Sequence, residues 1–311
     1  MPQPGSPPRL RHWAFEHKSD FLHPSIAVPK RLWAMDDPNG SSAVLLYSNP
    51  PGTGWPQPLL NRTDGIHDEE TVLKAIKGQW PDANIVRVTR APGEQYPRIW
   101  RGPSYRLPNS ELASFGSSVN STRLLTERFR QVALTVEPQA ENRAAFGHEL
   151  RHLLILAASE VESAWKAIYV ANKFPPAERY NTQDYSALID PLRLREWGVS
   201  LSMYPDYGII KPFETWDPRK PTASLPWYAA YNTTKHDREG NLKSATLENV
   251  ISALAGLFVM LCAQFGPAYL KQDPYSIPEF TVLVEPQWDL KELYVPIVSK
   301  DVEIRLVPLN G

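Results

Sequence analysis

Apolar residues recur at helical spacing in two long stretches of the chain. From about Asn142 to Lys173, Leu150, Leu153, Leu154, Ala157, Val161, Trp165 and Ile168 form one face, with Arg151, Ser159, Glu162 and Lys166 on the solvent side and Glu160 at the stripe's edge. Over 244–265, Leu247, Val250, Ile251, Leu254, Leu257, Phe258, Leu261 and Phe265 repeat the pattern. The two stripes predict a pair of helices packed antiparallel. Shorter helices are expected at Asp68–Lys77, Thr122–Gln131 and Asp184–Leu188.

Extended runs lie towards both ends. Ala43–Tyr47, Asn84–Thr89 and Val132–Val136 precede or border the helices, and Phe280–Glu285, Leu293–Val298 and Val302–Val307 follow them, the last two joined by a hairpin at Ser299–Asp301. Residues 1–30 read as an arm, and 91–122 as loop. A strand pair is expected around Pro205–Gly208. Strands at the ends and helices in the middle predict an α+β chain in three parts. These are a Pro-rich, strand-containing region over 1–138, a helical domain over 139–266, and C-terminal strands over 267–311 that share a sheet with the N-terminal region.

Composition narrows the chemistry. The chain has 311 residues and a formal net charge of −1, so it has no global field for nucleic acid, and any such contact needs a local basic patch. The 31 prolines are about twice the usual share. A single cysteine, Cys262, excludes an intramolecular disulfide framework and suits the cytoplasm. Residues 1–30 have no continuous apolar run, so no signal peptide is expected. Asn249–Leu270 is uncharged and long enough to cross a bilayer. Its Asn, Ser, Gln and Pro residues, and the lack of a basic flank, favour a buried core helix and no membrane partner.

Phosphate-loop, dinucleotide-binding and nucleophile-elbow patterns are absent. His148, Glu149 and His152 spell H-E-L-R-H, which fits the letters of a zinc-hydrolase helix. The plainer reading is a pair of solvated histidines, with no metal and no cofactor. The stronger candidate is Y-N-T-T-K-H-D-R, running from Tyr231 to Arg238 just before the second long helix. His236 suits general acid/base work, Asn232 can position a phosphate or hydroxyl, and Lys235 and Arg238 can stabilise developing negative charge. That set fits metal-independent cleavage by RNA's own 2′-hydroxyl. Helix capping and cross-helix hydrogen bonding are the alternative.

The L-L-I-L-A-A-S-E-V-E helix followed by Y-N-T-T-K-H-D-R and a long apolar helix resembles the HEPN superfamily over residues 139–266. The resemblance implies a helical-bundle core, a homodimer, and metal-independent endoribonuclease activity in toxin–antitoxin or anti-phage defence. The family motif is an Arg, commonly followed by a polar residue, with a His four to six positions further on. Asn232 and His236 match it, and Tyr231 stands where the Arg would be. On this resemblance His236 is the acid/base, Asn232 the positioning group, and Lys235 and Arg238 phosphate contacts, while Glu160 orients a basic partner. The rival it leaves open is a catalytically silent HEPN-like module that binds a partner protein or nucleic acid.

Overall fold

The computed structural model describes residues 12–16, 31–36, 43–48, 57–64, 69–236, 240–297 and 302–310. In chain order the regular elements are β1 His12–Glu16, β2 Arg31–Asp36, β3 Ala43–Ser48, β4 Gln57–Asp64, α1 Glu69–Gln79, β5 Asn84–Val88 and β6 Glu94–Gln95. They continue with α2 Leu112–Ala133, α3 His148–Ala171, α4 Thr182–Tyr185, β7 Gly198–Leu201, α5 Pro226–His236, α6 Leu247–Phe265, β8 Phe280–Val284 and β9 Arg305–Leu306. The chain is mixed α+β. Its contacts group it into two units, one of residues 1–95, 101–106 and 288–306, the other of 96–100, 107–287 and 307–311.

The first unit is built on an antiparallel sheet of order β4-β3-β2-β1-β5. β1 pairs on both sides, with Trp13 opposite Ala34 and Arg87, so part of the expected N-terminal arm is instead an inner strand. Trp13, Phe15 and Ala34 pack against Val72 and Ile76 of α1, which buries the apolar stripe of that short helix. β4 starts within a stretch that reads as turn because of its prolines. It lies at the sheet edge, where Pro58 needs no outward ladder bond. β9 pairs in parallel with β6, so a C-terminal strand does join N-terminal sequence. The expected hairpin at Ser299–Asp301 lies outside the described residues, and 294–297 form no strand.

Four helices make the core of the second unit. α2 is longer than its sequence suggests. Ser114, Ser118 and Thr122, weak helix formers, return their hydroxyls to backbone carbonyls three or four residues back, while Phe115, Val119, Leu125 and Phe129 are buried. The expected extended piece at Val132–Val136 is the end of this helix and a turn. α3 and α6 have the most extensive helix–helix packing among the described elements. They run parallel, not antiparallel. Their N-termini meet where Leu247 N and Glu248 N donate to Ala145 O and Arg143 O at 2.8 and 3.1 Å. Their C-termini meet across residues 97–100. There Asn172 Nδ2 donates to Pro97 O, Arg98 reaches Gln264 Oε1, and Trp100 N donates to Ala263 O.

The physical reason is α5. The stretch from Pro226 to His236 is itself helical and carries the chain back between α3 and α6. Arg151 binds Thr234 O while Glu162 binds Tyr228, so α5 is antiparallel to α3. α6 is long and apolar enough to cross a membrane, and 83% of that window is buried inside the protein. The pair expected around Pro205–Gly208 is present only as one antiparallel bridge, Val199 with Ile210, and Pro205–Tyr207 forms a 3-10 turn between its two arms. β7 pairs with β8 inside this same unit.

Candidate functional site

α5 begins with Pro226 in its first turn, a position where the missing N–H costs nothing. Trp227, Tyr231 and Thr234 then fall on one face and are buried. Trp227 Nε1 donates to Pro212 O at 2.8 Å, which ties the helix to the long connection before it. At the other end, the Arg151 guanidinium gives two hydrogen bonds, 2.9 and 3.2 Å, to Thr234 O. A cation there complements the helix C-terminus. Arg151, expected on the solvent side, is thus a clamp on α5.

Between those anchors α3 and α5 enclose a cleft of about 560 Å³. α3 lines it with Ser159, Glu162, Ser163 and Lys166, and α5 with Tyr228 and Asn232. The connection supplies Tyr180, Asn181, Thr182, Tyr185 and Thr222. Behind it sits an aromatic floor. Trp165 stacks on Trp216 at 4.8 Å between ring centres and lies 5.5 Å from Tyr228 and 5.6 Å from Tyr185. Rings wedged this way have little rotamer freedom, so their hydroxyls are held in place.

Glu162 is the centre of the polar network. Tyr228 donates a short hydrogen bond to its Oε1, and Tyr231 donates to its Oε2 at 3.2 Å. Beside it, Thr182 accepts from Thr222 at 3.2 Å. Burial pushes the Tyr228 phenol far above its ordinary range, and the Glu162 carboxylate adds to that, so Tyr228 stays a donor. Burial likewise pushes Tyr185 up to about 12. Lys235 Nζ donates to Tyr231 Oη at 2.8 Å and lies 5.0 Å from its ring centre. That hydrogen bond raises the Lys235 pKa.

Of the residues singled out in the sequence, Asn232 lines the cleft, with Nδ2 donating to Tyr228 O at 3.1 Å. Lys235 is one turn along, joined to the cleft through Tyr231. His236 closes α5, and its side chain lies outside the described ones; Arg238 lies outside the described residues. Glu160 does not join the cluster. It is two residues from Glu162, about 200° round the helix, and is not among the cleft's lining residues. His148, Glu149 and His152 also stand apart. Glu149 is held by Arg128 at 2.9 Å, with His152 Nδ1 3.5 Å away, and among the described residues no set of three potential metal ligands forms.

Sequence reasoning gave no role at the site to Glu162 or Tyr228, and read Tyr231 only as the residue in place of an Arg. Glu162 lies on the same side of α3 as Trp165 and Tyr169, which are buried, so it is not a solvent-face residue. Tyr228 and Tyr231, three apart on α5, share a side facing it. Comparison of the chain with models of protein families, with curated proteins and with solved structures finds no match in any of the three.

Proposed function

We propose that the helical unit is a HEPN-like RNA-binding module without nuclease activity, whose recognition site is the α3–α5 cleft. The observation that carries this reading is Tyr231. At the position where the family motif has Arg, this side chain is buried and its hydroxyl links Glu162 to Lys235. No cation from that position enters the cleft, while the groups that recognise a nucleotide remain. Tyrosine rings offer stacking surfaces, Asn232 and Asn181 offer amides, and Lys166 offers a phosphate contact. On this reading the module works as a homodimer in the cytoplasm, with RNA as its partner. The test is incubation of labelled single-stranded RNA with the protein in EDTA. Retarded but intact RNA is expected. Cleavage products that disappear with His236→Ala would overturn the silent reading.

The second reading, a metal-independent endoribonuclease, is favoured by the placement of Asn232 in the cleft one helical turn before His236. In that case His236→Ala lowers cleavage about 10²-fold or more, as loss of a general acid or base does.

A further inference from the structure

We infer that the nucleotide taken up by the cleft carries guanine, read by Glu162; this rests on the cleft being the RNA site. The Glu162 carboxylate is oriented on both oxygens, Oε1 by the Tyr228 hydroxyl and Oε2 by that of Tyr231. A carboxylate has about four lone-pair positions, so each oxygen keeps capacity for one more donor. What it offers the cleft is therefore a fixed pair of acceptors and no donor. Among the four RNA bases only guanine has two adjacent donors, N1–H and the 2-amino group, on its Watson–Crick edge. Adenine and cytosine set one amino group beside a bare ring nitrogen, and uracil flanks its single N–H with two carbonyls. Each of those would bring an acceptor against the carboxylate, an arrangement that costs binding.

Two further features fit a nucleotide carrying that base. The half-buried ring of Tyr180, backed by the buried ring of Tyr185 6.1 Å away, forms a wall of the cleft on which a base can stack. Lys166 stands four residues after Glu162, a spacing that ordinarily favours a Glu–Lys ion pair. Here the Glu162 oxygens take the tyrosine hydroxyls instead, and Lys166 makes no ion pair among the described residues. The lysine is left to meet an anionic group, which the phosphate next to the bound base supplies.

The experiment is fluorescence anisotropy in EDTA with short oligouridylates that carry one central guanosine, inosine or adenosine. Guanosine should bind about tenfold or more tightly than adenosine, as a bidentate base contact provides. Inosine, which keeps N1–H and lacks the amino group, should fall between them. Glu162→Gln, folded by circular dichroism, should bring the guanosine oligomer down to the adenosine level. Should that variant not fold, the three-base series on the wild-type protein decides alone. Equal affinity for all three oligomers overturns the guanine assignment and leaves RNA binding standing. Failure to bind any RNA removes the RNA reading, and the inference with it.

Discussion

The Tyr231 phenol lies 3.2 Å from Glu162 Oε2 and 2.8 Å from Lys235 Nζ, and so joins a carboxylate on α3 to an ammonium on its own helix. A side chain in this place holds two charged neighbours in register, a role an arginine cannot fill. Tyr231→Arg, which supplies the Arg of the HEPN motif that the chain resembles, should therefore destabilise the protein by about 1–3 kcal/mol, because a longer, charged side chain must enter a fully buried position beside Lys235 and cannot accept that lysine's hydrogen bond, even with Glu162 as a partner. It should produce no nuclease. Urea unfolding and an RNA-cleavage gel check both halves.

Alkaline pH should weaken the helical unit. Burial raises Tyr185 to about 12 from its ordinary 10, and raises Tyr228 further. A phenol whose folded pKa lies above its unfolded one contributes stability that is complete below the unfolded value and lost as pH rises through the folded value. Lys235 shifts in the same direction. Urea midpoints should therefore be flat from pH 7 to about 9.5 and fall between about 10 and 12. Tyr228→Phe should be less stable at neutral pH and lose less on going to pH 11.

Leu254 is wholly buried in α6, beside α3. Leu254→Ala should cost about 2–5 kcal/mol by denaturant titration, the range for deleting a buried leucine side chain. A loss below about 0.5 kcal/mol would mean that this helix is not core.

Gly266 closes α6 with φ of +89°, and a Cβ there would stand 2.6 Å from Trp100 Cδ1. Gly266→Ala meets both a left-handed backbone and a rigid indole, so about 2 kcal/mol or more of destabilisation is expected. A thermal melt measures it.

How far the chain could be read in advance follows from the strength of its patterns. α3 and α6 were legible because their apolar stripes run for five turns or more. The second half of α2 was legible as Thr122–Gln131, while its first half was hidden by Ser114 and Ser118, whose helical role depends on carbonyls the sequence does not show. α5 was hidden because Asn232, Thr233 and Thr234 favour turns in isolation, whereas in place Arg151 and Trp227 fix both ends of the helix. Missing α5 also reversed the expected direction of α6 against α3. At the site, Asn232 and Lys235 were legible from residue type and proximity in sequence. Glu162 was not, because a lone carboxylate on a helix is ordinarily solvated, and only packing brings Tyr228 and Tyr231 to it.

The central claim, that RNA is bound in the α3–α5 cleft, is tested most directly by the Kd of a guanosine-containing single-stranded RNA for wild-type protein and for Lys166→Glu, in EDTA at fixed salt. Lys166 is exposed on α3, so the variant should keep the wild-type urea midpoint. Its affinity should fall about tenfold or more, and the dependence of log K on log salt should be shallower by about one phosphate contact. An unchanged Kd with an unchanged fold would contradict the claim and place RNA, if it binds at all, elsewhere on the molecule.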